Sequence, residues 1–166
     1  MEYDDIPRND DERSTLLAFL EWQRETLARK CAGLEPNQLR IRSAEPSTLS
    51  LLGLVRHMAD VERGWFRRTL AGEDIADRYS SDADPDGDFD NIEAADADEA
   101  FASWHEECGR ADEIISRRAL EATGHHRTGR EVSMRWILNH MIEEYSRHNG
   151  HADLIRQRID GATGYD

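Results

Sequence analysis

Between Ser133 and Ile159 the chain reads SMRWILNHMIEEYSRHNGHADLIRQRI. Ile137, Met141, Ala152, Ile155 and Ile159 recur at helical spacing, and Glu144 and His148 interrupt the row they form. Those two residues are four apart, so on a helix they stand one above the other on a single face. If that face points into a packed interior, a carboxylate without a partner costs several kcal/mol. Either a metal ion or a network of hydrogen-bonded ion pairs must compensate. A second apolar row, in LLGLVRHMADVERGWF, holds His57 three residues after Leu54 and four before Val61. One imidazole from one helix, with a carboxylate and an imidazole from another, makes a two-nitrogen, one-oxygen donor set. Three protein ligands and an open position are the pattern of a catalytic zinc site. Nickel, iron(II) and manganese accept the same donors. The same spacing also suits a satisfied core histidine and a surface ion pair, so His57, Glu144 and His148 are candidate ligands beside those two readings.

Other ionisable residues surround the trio in sequence. His140 lies one turn before Glu144, as a supporting group or a rival ligand, and His151 lies toward the edge. His105, His125 and His126 are expected to face solvent, the last two in a glycine-flanked loop. Tyr145, Arg147, Asp60 and Glu62 are near, but spacing singles out no general base; Arg56 or Arg147 could hold an anionic substrate group. A di-iron bundle site needs Glu-x-x-His motifs on two helices, and the chain has none. Residues 82–93, DADPDGDFDNIE, match the calcium-loop pattern. No amphipathic helix feeds its first position and no second copy follows, so it reads as a solvated acidic connection that also caps the next helix.

Four helical segments must position these residues, at about Asp11–Cys31, Ser50–Leu70, Ala97–Leu120 and Ser133–Ile159, each with one tryptophan. Ser47 or Thr48 is the expected cap of the second, and Gly72 closes it. An acidic connection spans about 72–96, and residues 160–166 form a tail. No strand pattern emerges. Four long amphipathic helices in one domain most simply make an antiparallel bundle, an all-α fold. The net charge of −14 argues against nucleic acid and against an anionic membrane surface. No apolar run reaches the roughly 20 residues of a membrane span, and the acidic beginning has no apolar signal core, so a cytoplasmic protein is expected. Cys31 and Cys108 read as reduced thiols packed in helices.

The stretches LVRHMADVERGWFRRTLAGE, DADPDGDFD and RWILNHMIEEYSRHNGHADLIRQRIDGATG carry a likeness that spans nearly the whole chain. The sequence resembles the DinB/YfiT-like four-helix proteins, within them the actinobacterial branch related to the N-terminal domain of mycothiol-dependent maleylpyruvate isomerase. The resemblance implies a divalent metal. Its usual ligands are three histidines, of which His57 and His148 match the first and last. Glu144 departs from that pattern and matches the His-Glu-His set that holds zinc in the isomerase group. The implied chemistry is activation of a low-molecular-weight thiol such as mycothiol or bacillithiol, in a transferase or related enzyme acting on a small molecule. The isomerases carry a further C-terminal domain, so only the metal-bundle half of their activity is carried over. A non-catalytic dimeric binding or stress-response module with a buried polar network is the alternative, and a metal-dependent hydrolase a second. Pairing of two copies through one helix face is expected.

Overall fold

The computed structural model describes residues 3–164, and the protein is mostly helical. Helix α1, Glu12–Cys31, starts where the Asp11 carboxylate accepts the N–H of Ser14, and it is followed by the single turn α2, Pro36–Leu39. Helix α3, Leu51–Glu62, is capped by Ser50, whose hydroxyl accepts the N–H of Gly53. The cap is therefore two residues beyond Thr48, the later of the two expected positions. The short helix α4, Gly87–Asp90, lies within the acidic connection. Helix α5, Ala97–Ser116, begins at Asp96, whose carboxylate takes the N–H groups of Asp98 and Glu99, so the connection does cap it. Helix α6, Met134–Asp160, runs from the Ser133 cap to Gly161, which takes the left-handed conformation at φ 83°.

Helix α1 lies along α6, α3 packs on α5, and α3 also touches α6. One apolar cluster joins Leu20 and Leu27 of α1, Leu54 and Met58 of α3, Trp104 and Ala111 of α5, and Ile137, Met141 and Ala152 of α6. Each large side chain so buried contributes roughly 1.5–3 kcal/mol. These are the periodic residues of the four expected helices.

Two expectations are corrected. The second helix is not one α-helix to Leu70: after Glu62 it widens into a π-helical stretch, Arg63–Leu70, and the N–H of Ala71 reaches back five residues to the Phe66 carbonyl. Residue types over eight positions do not separate the two windings; tertiary bonds from Arg63 and Arg67 to Glu107, on α5, accompany the change. The loop before α6 is a β-hairpin, with β1, Thr123–His125, antiparallel to β2, Glu131–Ser133. Three-residue strands are too short to show alternation. Gly129 turns the hairpin at φ 79°. Gly124 seats it against the end of the π-helical stretch, where a Cβ would stand 2.1 Å from the Thr69 carbonyl oxygen.

Candidate metal centre

Helix α3 presents His57, half-buried, toward α6. Its Nδ1 is 2.7 Å from the Asp88 carboxylate and its ring stacks on Phe89 at 4.6 Å. Both partners come from α4, which other bonds hold against α3. The Arg56 guanidinium donates to the carbonyls of Gly87 and Asn91 and lies over the Tyr79 ring. Asp60 accepts the N–H groups of Arg78, Tyr79 and Ser80 at 2.6, 3.1 and 3.0 Å. Burial nevertheless raises the Asp60 pKa, outweighing those bonds. At Gly53 a Cβ would press to 3.3 Å from the Phe89 Cα, so the small residue lets α4 approach.

Helix α6 supplies the other two ligand candidates. Glu144 Oε2 is 3.5 Å from His148 Nε2, and the His148 ring centroid is 4.6 Å from that of His57. One donor atom from each of His57, Glu144 and His148 lies within 4.8 Å of the others. His140 Nε2 is 3.4 Å from Glu144 Oε1, and His151 Nδ1 is 3.4 Å from His148 Nδ1. Burial, aided by the neighbouring His57, His151 and Arg147, pushes the His148 pKa down to about 3, so its imidazole is neutral at neutral pH. A neutral imidazole is the ligating form.

This donor set fits a divalent cation. Ligand atoms bound at about 2.0–2.1 Å to a tetrahedral ion stand about 3.3 Å apart. The Glu144–His148 pair is near that separation already, and a donor atom of His57 lies within 4.8 Å of both. The carboxylate on Nδ1 of His57 leaves Nε2 for an ion, the histidine–carboxylate arrangement that orients metal-bound imidazoles. Among the described residues a second group, His140, Glu143 and Glu144, has the same reach but shares Glu144.

The trio lies beside a cavity of about 540 Å³ that His57, Glu144 and His140 line, together with Trp65, Arg68, Ser80, Ser81 and Asp88. Glu144 sits at the edge of the helix face, its side chain 17% exposed and turned to the cavity, not deep in the apolar row. The fully buried neighbour is Tyr145. Neither Tyr145 nor Glu62 lines the cavity, whereas Asp60 does. Arg147 is exposed and pairs with Glu143, Arg56 donates to backbone carbonyls, and neither lines the cavity. Arg68 and Arg127 are the guanidinium groups in the lining.

His105 and His125 face solvent as expected. His126 does not: its ring stacks on Trp65 at 5.0 Å and lines the cavity. Spacing also missed Asp88, the seventh residue of the acidic pattern. The acidic connection is no mere solvated link, since it delivers this carboxylate. Both cysteines are free thiols. Burial pushes Cys31 up to about 12 and raises Cys108 as well, which keeps both protonated. Among the described residues no helix is long and apolar enough to cross a membrane.

Compared with known proteins, the family model described as mycothiol-S-transferase matches residues 15–161. No curated protein matches the chain.

Proposed function

Because the chain belongs to the mycothiol-S-transferase family, a DinB-like family, we propose that it joins a mycothiol-type thiol to a carbon electrophile at the centre formed by His57, Glu144 and His148. The carrying observation is the meeting of those donor atoms within 4.8 Å, beside a cavity large enough for a small molecule. These three residues would hold the ion, zinc first and nickel, iron(II) or manganese otherwise. A divalent cation there would lower the pKa of a bound thiol and favour its thiolate at neutral pH. Asp88 fixes the His57 ring, and His140 engages the Glu144 oxygen turned away from His148. The chain's own thiols are both held protonated, Cys31 buried and Cys108 partly so, and the nucleophile in this reading comes from outside. In the transfer the sulfur forms a bond to carbon, the leaving group departs with its electron pair, and the thiol proton passes to solvent. In this reading the four long helical segments form one antiparallel bundle domain, with the centre between the second and the last.

Elemental analysis of protein free of any histidine tag tests the ligand set. About one divalent ion per chain is expected in the parent, and much less in Glu144→Ala. A metal-free parent whose melting temperature ignores chelators would instead fit the non-catalytic module. Thiol consumption, followed with an alkylating electrophile, then separates transfer from hydrolysis.

A further inference from the structure

A second cavity of about 760 Å³ adjoins the first, and Trp65 and His126 line both. Its remaining lining is Trp136 and Val132 with the polar residues Thr128, Arg130, Glu131 and Ser133. Trp65 touches three rings: His126 stacked at 5.0 Å, Trp136 tilted at 5.2 Å and His140 edge-on at 4.7 Å. The His140 ring in turn stacks on Trp136 at 4.9 Å, and its Nε2 is the atom 3.4 Å from Glu144. A continuous aromatic wall thus leads from the outer cavity to a candidate ligand. Trp136 leaves 47% of its surface exposed, one of few large apolar side chains among the described residues to do so. In the first cavity Arg68, Asp77, Ser80, Ser81 and Asp82 contribute a wholly polar stretch of lining that includes no aromatic ring.

We infer that the two linings divide the two substrates: the Trp65–His126–Trp136 groove takes a planar aromatic electrophile, while the polar stretch takes the hydrophilic body of the thiol. The naming of the occupant rests on the thiol-transfer reading. Apolar ring faces gain from a flat aromatic partner and offer little to a polyol's hydroxyl groups. The continuity of the wall with the candidate centre brings one end of such a molecule next to Glu144. For a halomethyl arene the step balances as follows: thiolate sulfur bonds to the benzylic carbon, the carbon–halogen bond breaks, halide leaves with the bonding pair, and the thiol proton goes to solvent.

The test uses the full chain, a halomethyl arene with mycothiol, and the unreactive methyl arene of the same ring system. Methyl-arene binding is read by quenching of tryptophan fluorescence. Trp136→Ala should raise its Kd about five- to tenfold, and Trp136→Phe should recover most of that. With the halomethyl arene the same variant should raise the electrophile KM by a similar factor and leave the thiol KM in place. Metal content measured alongside should equal the parent's, so that a changed Kd is not owed to a lost centre after removal of the ring stacked on His140. If the methyl arene does not bind the parent, or Trp136→Ala binds it equally, the groove assignment falls. A rise confined to the thiol KM overturns it too, by placing the thiol on the rings. If the methyl arene binds through Trp136 but no thiol is transferred to any electrophile, the groove stands and the thiol-transfer reading falls.

Discussion

Asp88 gives His57 something that no neighbour on α3 provides: an acceptor 2.7 Å from Nδ1, which fixes both tautomer and ring plane. Loss of such a carboxylate typically weakens metal binding 10- to 100-fold. Asp88→Ala should therefore lower affinity for the divalent ion by a factor in that range, measured by competition with a chromophoric chelator. Far-ultraviolet circular dichroism should stay that of the parent, because Arg56 still holds α4 through the Gly87 and Asn91 carbonyls. Unchanged affinity would reduce the Asp88 contact to loop packing. The three candidate ligands were legible in the sequence because they break apolar rows whose period is fixed by the helix. Asp88, His126 and Trp65 were not. The first two reach the cavity from a connection and a hairpin turn, where no periodicity says which way a side chain points. Trp65 lies on the expected row, and its role came from what packs against it.

At the scale of elements, the long helices were legible, and what joins them was not. The π-helical stretch is tied to α5 by one carboxylate. Glu107, fully buried, takes Arg63 at 2.7 Å and Arg67 at 3.2 Å from that stretch, and Arg78 at 2.9 Å from the acidic connection. Burial alone would raise its pKa, but the bonds from Arg78, Arg63 and Arg67 outweigh that and hold it below the ordinary value of 4.5. The sign follows from proton uptake. Below pH 4.5 the unfolded carboxylate protonates more readily than the folded one, so stability is complete above that pH and is lost as acid reaches the folded value. Glu107→Gln should cost about 3 kcal/mol at neutral pH, toward the low end for a broken buried pair because the arginines reach water. Its melting temperature should also fall less than the parent's between pH 5 and pH 3, a window set by the lowered pKa. Parallel melting curves for the two proteins across that range would show that the clamp contributes nothing to acid stability.

Across the whole molecule a single buried polar chain touches each of the four long helices. Arg24 of α1 donates to both Glu62 oxygens, of α3, at 2.7 and 2.8 Å. The Tyr145 hydroxyl, of α6, donates to Glu62 at 2.8 Å and accepts from Trp104 Nε1, of α5, at the same distance. In an apolar core of leucine and methionine, which tolerates small sliding, these directional bonds define the register of every helix against the others. The amphipathic rows announced the four helices, but spacing gave Glu62 and Tyr145 no role and did not single out Arg24, because a buried ion pair is specified by its partner and the partner lies on another helix. The chain lies outside the cavity lining, so stability and metal binding should separate. Tyr145→Phe leaves a Glu62 oxygen and the Trp104 N–H each short of a partner, a loss of about 1–3 kcal/mol. Arg24→Met strands the Glu62 charge and should cost about 3–5 kcal/mol. Replacing both ion-pair members, as Arg24→Met with Glu62→Leu, should recover part of that loss, since no buried charge is left. Recovery stays partial because Tyr145 then lacks its acceptor. Urea unfolding of the singles and the double measures the coupling, and metal content read on the same samples should stay near the parent's in Tyr145→Phe. A double variant that loses as much as its two singles together, or more, would mean that Arg24 and Glu62 do not compensate each other's charge, and the helices would then owe their register to other contacts.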